Sequence, residues 1–172
     1  MASLIENLIS VLEQESSEYE QLLGLSMQKT PVIIAGDLSS LQRITDEEQN
    51  VVSRINHLET KRMEVTNDIA NVMNMDVKTL KLVSLIQMLQ SRPEESSKLA
   101  RAHDKLKNVV GNMQRVNEQN KELITRSLEM VEFDMNLLQA MKTAPETANY
   151  NRGAYTAGNV IGRDVSGFDA KS

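Results

Sequence analysis

From Leu99 the apolar residues Ala102, Leu106, Val109, Met113 and Val116 follow in alternating steps of three and four, the 3.5-residue repeat of a helix packed along a seam. Asn120 occupies the next seam position and Leu123 follows. The apolar face then resumes through Leu128, Val131, Met135, Leu138 and Met141 with a shift of register near Ser127. As one helix, residues 99–141 span about 64 Å at 1.5 Å per residue. Such a rod needs partners along its length. A second run, Leu38, Leu41, Ile44, Val51, Ile55, Leu58, Val65, Ile69 and Val72, steps by three, four or seven, with Glu48 and Arg62 filling its two gaps. It predicts a helix over 38–74, about 57 Å long, able to lie beside the first as an antiparallel pair.

Shorter elements complete the pattern. Residues 3–28 carry one apolar face through Leu4, Leu8, Val11 or Leu12, Glu15, Tyr19, Leu22 and Leu23, with Ser3 as its N-cap and Glu6 three residues on. Thr30 and Pro31 predict a break, because proline lacks an N–H and pushes its predecessor out of helical geometry. Residues 31–35 then read as a short apolar turn closed by Gly36, and Asp37 as the cap of the next helix. After Met75 and Asp76 a short helix with Leu80, Leu82, Val83, Leu85, Ile86 and Leu89 is apolar on more than one face, so it should be largely buried or touch a partner. Pro93, Glu94 and Glu95 suit the first turn of the long helix, and Thr143, Ala144 and Pro145 close it.

Composition confirms the class. The chain has no Trp, two Phe and three Tyr against ten Met, and aliphatic and unbranched side chains suit helix seams. The fold class is therefore all-α: two long antiparallel helices in a coiled-coil-like hairpin, shorter helices packed on them, and a flexible C-terminal tail. Residues 1–144 form an elongated helical bundle and residues 145–172 a separate tail. That tail holds four of the seven Gly and three of the five aromatics, with no Leu or Met. It cannot build a core alone, yet Tyr150, Tyr155, Val160, Ile161 and Phe168 would gain by burial on a supplied surface. It is either disordered or folds on binding.

Charge and motifs narrow the function. A net charge of -5 with both signs interspersed, and no basic run, argues against nucleic acid. Without Cys there is neither a disulfide nor a thiolate site, which fits a reducing cytoplasm. No basic-then-apolar leader and no window long and apolar enough for a membrane span occur in the sequence, so no membrane insertion is expected. His57 and His103 lack Glu three residues earlier, which excludes a di-iron bundle. The segment from Ala102 to Asn108 has the flavour of a histidine phosphotransfer motif, but Lys107 is four residues after His103, Asn108 stands where a Gly is needed, and Asp104 sits beside the ring. Adjacent carboxylates such as Glu47 and Glu48 point about 100° apart on a helix. No phosphate loop, nucleophile elbow or metal spacing is present, so no catalytic, cofactor-binding or metal-ligating residue is assigned and the chain is not read as an enzyme.

Two features bear on binding. Met73, Met75, Met88, Met113, Met130, Met135 and Met141 gather toward helix ends, where methionine either fills core gaps or adapts to varied partners. Asn117 and Asn120 share nearly one face of the long helix, as a structural polar layer that fixes register or as a direct contact with a partner.

These residues together resemble the FlgN family of bacterial flagellar export chaperones. The resemblance rests on Glu15, Tyr19, Leu22 and Leu23, then Gly36, Asp37 and Leu41 leading to Glu48, then Leu58, Glu59, Lys61 and Arg62, then Asn117, Asn120 and Leu123, and a tail with Tyr155 and Gly158. It implies a cytoplasmic, non-enzymatic type III secretion chaperone without a cofactor. Its partners would be hook-filament junction (hook-associated) subunits, kept from premature assembly and delivered to the flagellar export gate or its ATPase components. It further implies substrate capture by the C-terminal part of the chain, on Met130, Met135, Leu138 and Met141 of the long helix and on Tyr150, Tyr155, Val160, Ile161 and Phe168 of the tail. The competing reading is a structural coiled-coil homo-oligomer, which heptads support equally well.

Overall fold

The computed structural model describes residues 1–143. Four α-helices, α1 (Ala2–Ala35), α2 (Leu38–Met73), α3 (Leu82–Met88) and α4 (Pro93–Thr143), follow in order, with a single 3-10 turn, Leu89–Ser91, before α4. No strand occurs among the described residues. The all-α class holds, with long helices carrying the fold and a short one packed on them. The chain divides into two compact units, Met1–Leu123 and one that begins at Ile124.

In the first unit three helices share one interior. α1 and α2 run antiparallel, since Tyr19 meets Glu59 while Ser26 meets Glu48. α4 runs parallel to α1, because Ser26 pairs with Asn117 and Thr30 with Asn120. One apolar cluster joins Ile5, Leu8, Ile9 and Leu12 of α1 to Val65, Ile69 and Ala70 of α2 and to Leu99, Ala102 and Leu106 of α4. A second gathers Leu22 and Leu25 with Ile44, Val51 and Ile55, and Tyr19, Val32 and Met113 pack against it. Most positions that step by three and four in the sequence are buried, Ile44, Val51, Ile55, Leu58, Val65 and Ile69 on α2 and Leu99, Ala102, Leu106 and Val109 on α4, while Leu38 and Val72 at the ends of α2 are exposed.

Local chemistry sets the turns. Gly36 takes a left-handed conformation, φ 68°, and its N–H and that of Asp37 bond to the carbonyls of Ile33 and Val32, closing α1 as glycine does best. Asp37 then caps α2, accepting from Ser40 N–H at 3.1 Å and from Ser40 Oγ at 2.6 Å. These hydrogen bonds hold its carboxyl below the usual range. Asn74 plays the glycine role after α2, with φ 54° and Met75 N–H bonded to Ala70 O at 2.9 Å.

Three expectations change. Helix α1 starts at Ala2, so Ser3 lies inside its first turn rather than capping it, and the Met1 carbonyl receives the N–H groups of Leu4 and Ile5 directly. No break occurs at Pro31. α1 continues to Ala35 through it, because the ring is on the exposed side while Ile33, on the same turn, is buried and Thr30 is bonded to α4. Tertiary contacts on the inner face outweigh the one helical bond a proline removes. Finally, α3 and its approach bury one face, through Leu80, Leu85 and Leu89, and leave Val83 and Met88 exposed.

Candidate functional site

The seam of the first unit is interrupted twice by polar side chains. At the first interruption Glu15, 1% exposed, faces Arg62, whose Nη1 lies 3.2 Å from Oε2. The pair is not aligned as a hydrogen bond, and neither carboxylate oxygen of Glu15 has a hydrogen-bond partner. Burial pushes the Glu15 carboxyl up, Arg62 pulls it down and Glu59 adds a smaller upward push. Tyr19 lies one turn on and donates to Glu59 at 3.3 Å; burial and the Glu59 charge raise its phenol.

At the second interruption Asn120, itself buried, accepts from Thr30 Oγ1 at 2.7 Å and donates from Nδ2 to the Ser26 carbonyl at 2.7 Å. The Ser26 hydroxyl has one proton for two acceptors, Asn117 Oδ1 at 2.9 Å and Glu48 Oε1 at 3.3 Å. Lys29 closes the layer with a 2.6 Å ion pair to Glu48. No buried side-chain polar atom of this layer lacks a hydrogen-bond partner, and its bonds tie α1 to both α2 and α4.

Neither layer is arranged for catalysis. His103 sits half-buried beside Asp104, 3.2 Å away, and no group of three His, Asp or Glu among the described residues is placed to hold a metal ion. An open groove of about 360 Å³ on α2 is lined by Thr45, Glu48, Gln49, Val52, Ser53 and Asn56. It offers one carboxylate, already paired with Lys29, and no second reactive group.

The second unit is different in kind. Its described part is the α4 segment 124–143, and there Met130, Met135, Leu138 and Met141 are 69, 65, 59 and 60% exposed. Leu128, Val131, Phe133 and Leu137 are exposed with them. Large apolar side chains scattered singly on a surface are normal, but this many within five turns of one helix mark a binding surface or an aggregation liability. Leu128, Val131 and Leu137 were not among the residues assigned to binding from the sequence. Leu128 and Val131 lie on the stripe that resumes after Ser127 in the sequence, whereas Leu137 does not. Tyr150, Tyr155, Val160, Ile161 and Phe168 lie outside the described residues.

A helical bundle that runs on into an exposed apolar helix segment has the features of one class, proteins that bind other proteins. Comparison gives the family. The FlgN protein family matches residues 1–158, and the chain belongs to it. That is a family of flagellar export chaperones, not of enzymes. The chain is similar to the uncharacterized protein YvyG of Bacillus subtilis (strain 168), 24% identical over 133 residues, 77% of this chain and 76% of that protein. No solved structure matches it. None of the helices in the described residues is long and apolar enough to cross a membrane.

Proposed function

We propose that this chaperone works in the bacterial cytoplasm, binds hook-filament junction subunits, keeps them from assembling prematurely and delivers them to the flagellar export gate. The capture surface is the α4 segment 124–143, with Met130, Met135, Leu138 and Met141 at its centre, continued by residues 145–172, which fold on the bound subunit through Tyr150, Tyr155, Val160, Ile161 and Phe168. The observation that carries this reading is the exposure of those four side chains within one segment of α4, a helix whose earlier seam residues Leu99, Ala102, Leu106 and Val109 are buried. Export substrates must be kept from pairing their own amphipathic helices, and an apolar helix completes such a bundle in their place. A segment that folds on its partner adds a large wrapped surface at modest net affinity, which suits a partner that must later be released.

Binding of purified junction subunits by the full chain, by a chain ending at Ala144, and by the M130S/M135S/L138S/M141S variant tests the proposal. Truncation and substitution are each expected to weaken binding at least tenfold, the loss of several buried apolar contacts. A truncated chain that binds as well as the full one contradicts the role of the tail. An unaffected quadruple variant contradicts the role of α4.

A further inference from the structure

The apolar residues of segment 124–143 form two seams rather than one. The bundle seam of α4, from Leu99 through Asn120 and Leu123, continues in unbroken register as Ser127, Met130, Asp134, Leu137 and Met141. One residue over, Ile124, Leu128, Val131, Met135 and Leu138 form a second seam in steps of four, three, four and three. At 100° per residue the two together cover about 180° of the helix surface, whereas a helix with one partner needs little more than a single stripe. Two adjacent seams are what a helix presents when it packs against two neighbours at once.

The charges point to the composition of those neighbours. Asp134 occupies a position within the continued seam, among Met130, Leu137 and Met141, and Glu132 borders the second seam between Leu128 and Met135. Among the described residues neither is in an ion pair, and neither is Glu129. A carboxylate that is to be covered by an apolar partner needs a cation brought to it. Resting on the chaperone reading above, we infer that segment 124–143 is the middle helix of a three-helix assembly completed by two amphipathic helices of one export substrate, one bringing Lys or Arg to Asp134 within the continued seam and the other to Glu132 at the outer edge of the second.

Titration calorimetry of the full chain with a purified junction subunit from the same organism tests this. The L128S/M135S variant breaks the second seam and M130S/M141S the continued one; all four side chains are exposed, so the variants fold. Each pair is expected to reduce affinity about tenfold or more, as central apolar contacts do. D134K and E132K should each reduce it severalfold, with the difference from the parent shrinking as salt is raised from 0.1 to 0.5 M. Loss from one seam pair only overturns the two-helix arrangement while leaving the chaperone reading intact. Loss from neither, with binding retained, overturns both. Tighter binding by D134L than by the parent overturns the basic partner. A chain that is dimeric alone, that either seam variant makes monomeric, and whose subunit binding is then unchanged assigns the seams to a second copy and overturns the inference.

Discussion

Asn120 shows how much one side chain can do at a seam. It is buried, bonds both to the Thr30 hydroxyl and to the Ser26 carbonyl, and an apolar residue there would fill the space without choosing a register. Asn120→Ala should destabilise the protein by about 2 kcal/mol, two bonds lost and Thr30 left partly unpaired. Asn117→Ala, at an exposed position, should cost less than about 1 kcal/mol; chemical denaturation followed by circular dichroism distinguishes the two. Glu15 is the opposite case, a buried carboxylate with an ion contact but no hydrogen bond. Its raised pKa means that the folded chain holds the proton more tightly than the unfolded one. The contribution is therefore fully present below the ordinary value of 4.5 and lost as pH rises through the folded value. Glu15→Gln should match the parent below pH 4.5 and exceed its stability by roughly 1 kcal/mol at pH 7, because Arg62 retains access to water and lies one turn from Glu59. A stability difference that stays constant across this range contradicts the assignment.

At the scale of elements, α1 is where local rules and tertiary packing disagree. Pro31 sits within the helix on its exposed side, so Pro31→Ala should restore a backbone bond to the Met27 carbonyl without disturbing the core. A stabilisation of about 1 to 3 kcal/mol in thermal or chemical unfolding is expected. The periodic positions of α2 and α4 were legible because burial follows the 3.5-residue repeat directly. So were Gly36 and Asp37, whose roles depend on their own backbone and side chain. The continuation of α1 past Pro31 was not, since the groups that hold it, Thr30 and Ile33, act through α4 and the core rather than through neighbours in sequence. Likewise Glu15, Glu48, Arg62 and Asn120 stood out as polar residues on apolar faces. That Arg62 answers Glu15, and that Ser26 and Thr30 answer Glu48 and Asn120, depends on which helices meet and at what height, which no single helix encodes. The candidate binding surface was visible in Met130, Met135, Leu138 and Met141, while its width became clear only with Leu128, Val131 and Leu137 seen to share their exposure.

For the whole molecule, the division of labour follows from where polar groups are satisfied. In the first unit three helices share a packed core, and the polar layer of Ser26, Lys29, Thr30, Glu48, Asn117 and Asn120 is bonded internally. In the described part of the second, apolar side chains stand in water and Glu129, Glu132 and Asp134 have no ion pair among the described residues; under the proposed function, covering both supplies free energy for binding. Membership of a chaperone family fits that split between a rigid body and a sticky helix. Hydrogen–deuterium exchange of the full chain with and without a purified junction subunit tests this most directly. New protection is expected over residues 124–143 and the tail with residues 1–123 unchanged; protection confined to residues 1–123, with segment 124–143 exchanging as in the free protein, would contradict capture by α4.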